Sequence, residues 1–106
     1  MFARVTQLEI DPVRSSVGAA LARFKDDVVP TLVDQAGYRG VIALITPEGK
    51  GLVATFWDTE HEADASHGSG FYADVLASFA TIFRAPPGRD CYEVVFAELP
   101  VLVEGR

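Results

Sequence analysis

Cysteine is nearly absent from this chain: Cys91 stands alone among 106 residues. A single thiol excludes an internal disulfide framework and suits a reducing compartment, so a cytoplasmic setting is expected. Positive charge is scarce too, with 9 Lys and Arg against 15 Asp and Glu and a formal net charge of -6. That balance argues against nucleic-acid binding, because no basic patch exists to displace phosphate counterions. No apolar run approaches the roughly 20 residues that span a bilayer. Arg4 and Glu9 interrupt the N-terminal stretch where a signal peptide needs an apolar core. Repeats, low-complexity tracts and linkers are missing, as are a Ser-His-Asp signature, a phosphate loop and a dinucleotide fingerprint.

What remains is an ordinary globular composition, 49% hydrophobic and 23% charged. One domain over residues 1–106 is expected, large enough to bury roughly two-thirds of its surface. Its organising stretch is Leu52 to Glu62, LVATFWDTEHE. As a strand it is apolar on both faces, with Leu52, Ala54 and Phe56 on one side and Val53, Thr55 and Trp57 on the other. Thr59 and Glu62 then stand at capping-box spacing, which starts a helix.

Along the rest of the chain, Phe2 to Ile10 alternates and reads as strand one. Asp11-Pro12 predicts a helix start. Val13, Val17, Ala20, Leu21, Phe24 and Val28 fall at helical spacing after it. Pro30 predicts a kink or break near Val28-Val29, and Gly37 a terminating residue. Tyr38 to Thr46 is strand two, and Pro47 to Gly51 a hairpin turn. The second helix begins at the capping box, bends at His67 to Gly70 and continues through Phe71, Tyr72, Val75, Leu76, Phe79, Ile82 and Phe83. Cys91 to Glu98 is strand four, followed after Pro100 by a short apolar tail, Val101-Leu102-Val103.

The element order is βαββαβ. Short connections and right-handed crossovers make this an α+β, ferredoxin-like sandwich: an antiparallel sheet with both helices on one face. Its other sheet face would be polar in a monomer. Here neither alternate set is polar: Ile42 and Leu44 oppose Val41, Ala43 and Ile45, and Leu52, Ala54 and Phe56 oppose Val53 and Trp57. A homodimer through that open face is therefore expected, because a monomer would leave an unusually large apolar patch in water. The tail Val101-Leu102-Val103 could pair with the partner's sheet edge.

The run PTLVDQAGYRG (Pro30 to Gly40), a hairpin, and then Phe56-Trp57-Asp58-Thr59-Glu60 resemble the dimeric α/β-barrel superfamily. The similarity is greatest to its antibiotic-biosynthesis-monooxygenase-like (ABM) domains. The resemblance implies two sheets paired into a dimeric α/β barrel, with a ligand pocket between each sheet and its own helices. Cofactor-free monooxygenases of this group oxidise polycyclic phenols with a strand-three tryptophan, an asparagine, a tyrosine and an arginine. Trp57 matches the first of these; Val53, Ala63 and Ala77 stand near the other positions. Haem-degrading members use a strand-one asparagine and a tryptophan and iron-ligating histidine on helix two. Gln7, His67 and Leu76 occupy those places.

Trp57 is therefore a candidate pocket residue and equally a core residue, with Gln7 able to accept from its indole N–H. His67 is the candidate base, since an unperturbed imidazole titrates near neutrality; a solvated or capping role is its alternative. Tyr72 is a core or pocket phenol. His61, Asp64 and His67 drift around a helix without a second cluster, so no metal site is expected, and no cofactor. Cys91 is expected to be an inert buried thiol. Two functions follow: a cofactor-independent monooxygenase acting on a small aromatic or quinol-like molecule, or a non-catalytic small-molecule-binding or structural dimer.

Overall fold

The computed structural model describes residues 1–68, 74, 77, 79–84 and 88–99. Its strands are β1 (Phe2–Glu9), β2 (Tyr38–Ile45), β3 (Lys50–Trp57) and β4 (Gly88–Glu93). They form one antiparallel sheet in the order β2-β3-β1-β4. Helical segments connect β1 to β2 and β3 to β4, so the βαββαβ ferredoxin-like order holds. No helix among the described residues is long and apolar enough to cross a membrane.

The first helical segment departs from expectation at its start. Asp11 does not open a helix; its Oδ1 accepts from the Val13 N–H at 3.0 Å and its carbonyl accepts from Arg14 and Ser15. This local turn satisfies the backbone before helix geometry can begin, and Val13 is left 92% exposed. Helix α1 (Val17–Arg23) instead starts at Ser16, whose Oγ accepts from the Ala19 N–H at 3.0 Å. The expected break near Val28-Val29 takes the form of a π-helical stretch, Phe24–Val28, leading into α2 (Val29–Val33). The Val29 N–H donates to the Phe24 carbonyl, one residue further back than in an α-helix. Pro30 explains it: proline has no N–H and its ring crowds the carbonyl four residues earlier, so the preceding turn widens.

Helix α2 ends at Val33, before Gly37. Gly37 instead turns the chain into β2 at φ 80°, where a Cβ would collide with the Glu62 carboxylate. The β2–β3 hairpin closes with the Thr46 N–H on the Lys50 carbonyl at 2.7 Å. Gly49 sits there at φ 94°, and its carbonyl accepts from the Ile10 N–H at 2.8 Å. The capping box ahead of α3 (Glu60–Gly68) is formed: Thr59 Oγ1 accepts from the Glu62 N–H and donates to its carboxylate, both at 3.1 Å. Of the apolar helical run expected after Gly70, Phe79 and Phe83 are buried, Phe83 in a bridge to Ile10; Phe71, Tyr72, Val75 and Leu76 lie outside the described residues.

Strand four corrects the sequence reading. It spans Gly88–Glu93, not Cys91 to Glu98, in a ladder that pairs Gly88 with Gln7 and Glu93 with Phe2. Because β1 begins at Phe2, the ladder runs out there, and its last bond is from the Val94 N–H to the Met1 carbonyl at 2.9 Å. Val95 and Phe96, without a strand to pair with, are 88% and 82% exposed. Period-two hydrophobicity marked them as strand; the length of β1 decided otherwise. The tail 101–103 lies outside the described residues.

The core lies between the sheet and its helices: Ile10, Ala20, Val28, Leu32, Trp57, Ala63, Phe79 and Phe83. The opposite sheet face carries Val5, Ile42, Leu52 and Phe56 half-buried and Leu44 exposed.

Candidate functional site

A cavity of about 110 Å³ lies between the sheet and the first helical segment. β3 supplies Val53, Thr55 and Trp57 from one face, as strand alternation requires. Across from them stand Phe24 and Val28 of the π-helical stretch and Leu32 of α2. The sequence reading placed Ala20, Leu21, Phe24 and Val28 on the helical stripe that lines the cavity, wrongly added Val13, and had no means to join the stripe to particular strand residues. That pairing is a tertiary fact.

Trp57 is buried, 1% exposed, and packs edge-to-face on Tyr38 with ring centroids 5.8 Å apart. Its indole N–H donates to Thr55 Oγ1 at 2.9 Å, and that hydroxyl is also 3.5 Å from the Arg4 carbonyl. Thr55, not Gln7, is thus the acceptor. Gln7 pairs with Leu52 and so projects from the sheet face opposite Trp57, where it is exposed beside a shallow groove shared with Glu9, Thr46 and Lys50. Thr55 was legible in principle, because residues two apart on a strand share a face. Burial holds the Tyr38 phenol above its ordinary pKa of 10.0, so it stays protonated at neutral pH.

His67 is in helix α3 near its C-terminus, and its side chain is outside the described residues; Tyr72 lies outside them altogether. The structure therefore brings Trp57 to the cavity and leaves Gln7 outside it.

Arg4 carries the buried charge that sequence reasoning missed. Its Nε donates to the Ala63 carbonyl at 3.1 Å and a terminal nitrogen to Asp64 Oδ1 at 2.5 Å, tying β1 to α3. Alternation on a strand flanked by apolar residues gave no sign of it. Cys91, paired with Arg4 across the β1–β4 ladder, has its thiol pushed above the ordinary 9.0 by burial. Arg4 pulls that value down, and the Asp64 and Glu60 carboxylates add to the rise. The neutral thiol is favoured in the fold, so this contribution to stability is present below the ordinary value and lost as pH rises through the raised one. Alkylation of native Cys91 by iodoacetamide at pH 8 should be slower than that of free cysteine. A rate equal to or above it would mean an activated thiolate.

No protein-family model and no curated protein matches the sequence. Solved structures do. A protein of unknown function from Nitrosomonas europaea, NE2512, is 28% identical, with 94% of each chain covered and a TM-score of 0.68. A monooxygenase from the gene ActVA-Orf6 of Streptomyces coelicolor, in complex with Nanaomycin D, aligns over 94% of this chain and 92% of its own at TM-score 0.71 and 17% identity. The chain has the ABM fold. The heme-degrader MhuD from Mycobacterium tuberculosis, with two hemes in its active site, shares it at TM-score 0.64, 15% identity and coverage of 92% of this chain and 99% of MhuD. At these identities the two characterised ABM neighbours establish fold alone.

Proposed function

We propose that this chain is a homodimeric ABM-fold protein of one domain that binds a small aromatic or quinol-like molecule in the cavity over Trp57. The observation carrying it is the cavity itself: about 110 Å³ of mostly apolar space between sheet and helix. Binding there buries apolar surface of the ligand at roughly 25 cal/mol per Å². The apolar open sheet face supports the dimer, and the single thiol supports a cytoplasmic setting.

The ABM-fold monooxygenase favours a second reading, cofactor-independent oxygenation in the same cavity. His67 would take the phenolic proton, Tyr72 would line the pocket, and the electron-rich anion would donate to dioxygen. Titration with a panel of phenols, hydroquinones and haem, followed by Trp57 fluorescence, tests the binding reading. Saturable change with one class is expected; blue-shifted emission with no saturable response would mean a closed core. Oxygen uptake with the bound class, abolished in His67→Ala, would establish the oxygenase. Binding without uptake leaves the protein a binder.

A further inference from the structure

The cavity's lining is more restrictive than the proposed ligand class. Among the described residues, no buried side-chain nitrogen or oxygen lacks a hydrogen-bond partner. Among the described lining residues the hydroxyls are Thr55, which accepts from the Trp57 N–H, and Thr6, which is engaged as well. The other described lining residues are aliphatic and aromatic, Phe24, Val28, Leu32 and Phe83 among them. Leu21 and Ile45, 42% and 41% exposed, mark the rim between α1 and the edge strand β2. The volume of about 110 Å³ is near that of engineered apolar cavities of about 150 Å³, which stay dry and take up benzene or xenon.

We infer that the cavity selects a one-ring aromatic hydrocarbon, with any polar substituent left at the rim beside Leu21 and Ile45. This rests on the reading of the cavity as a ligand site and narrows it. A hydroxyl carried inward leaves water to face a lining whose described polar side chains are only Thr6 and Thr55, both already engaged in the fold. Each such group weakens binding by about tenfold or more. A second or third fused ring exceeds the space. The resulting preference runs opposite to that of a site built to recognise hydroquinones, where polar groups would wait unpaired for the ligand.

A matched fluorinated series tests this with one readout. Fluorobenzene, 4-fluorophenol, 2-fluorohydroquinone and 9-fluorophenanthrene are titrated into the full-length protein and followed by ¹⁹F NMR. The expected order is fluorobenzene at least equal to 4-fluorophenol, with 2-fluorohydroquinone about tenfold or more weaker and the three-ring compound not bound. Ala43→Phe places a ring at the cavity wall on the exposed edge strand and should weaken fluorobenzene tenfold or more without loss of the native fold. Tightest binding by the hydroquinone or the three-ring compound overturns the inference and leaves the ligand-site reading standing. No saturable binding by any of the four overturns both, as does fluorobenzene binding that Ala43→Phe leaves unchanged.

Discussion

Trp57→Ala should destabilise the protein by about 3–5 kcal/mol, the range for a large aromatic removed from a packed core. Several losses act together. The indole is 1% exposed, so its removal forfeits the burial of its whole apolar surface and leaves a void among its neighbours. The edge-to-face contact with Tyr38 disappears, and Thr55 Oγ1 loses its donor while staying buried. Against a typical domain stability of roughly 5–15 kcal/mol, this approaches the whole margin. Urea unfolding followed by circular dichroism measures it. Trp57→Phe separates the terms, since it keeps most of the ring and drops the hydrogen bond; about 1–3 kcal/mol is expected there. A loss below about 1 kcal/mol for Trp57→Ala would show that the site is already loosely packed and that the indole is not part of the core.

Leu44→Asp should convert the proposed dimer to a monomer. Leu44 is 55% exposed in the protomer and pairs with Leu52 on the apolar open face. Substitution at so exposed a position costs a lone protomer no more than about 0.5 kcal/mol. In a sheet-to-sheet dimer each protomer would bury such a carboxylate in the apolar layer between the sheets. An unpaired charge there costs several kcal/mol, a weakening of a thousandfold or so. Light scattering at micromolar concentration should show the mass halve. A wild-type mass equal to one chain, or a variant mass unchanged at two, would remove the open face as the interface.

The sequence displayed some features because they are local. The two faces of β3 could be read from alternation, and the capping box at Thr59 and Glu62 formed as its spacing predicted. Pro30 signalled a disturbed helix, because a missing N–H acts within one turn wherever the helix lies. The order of elements, with short connections and handed crossovers, led to the ferredoxin-like sandwich, and the runs Pro30 to Gly40 and Phe56 to Glu60 carried the ABM resemblance.

Other features were decided only when distant segments met. Gln7 and Trp57 both appeared available to the pocket, but the β1–β3 register puts Gln7 against Leu52 and turns it to the other face. A one-residue change in register inverts every side chain, and no local pattern encodes that choice. Strand four ends at Glu93 because β1 begins at Phe2, its antiparallel partner there, although Val94 and Val95 have strand-forming side chains. Arg4 became a buried anchor through Ala63 and Asp64, some sixty positions away along the chain. By itself the sequence determined which residues are apolar, where helices can start and where they must bend. The tertiary structure alone decided which of those surfaces face each other, and so where the cavity lies, because packing is a relation between segments that local preference does not contain.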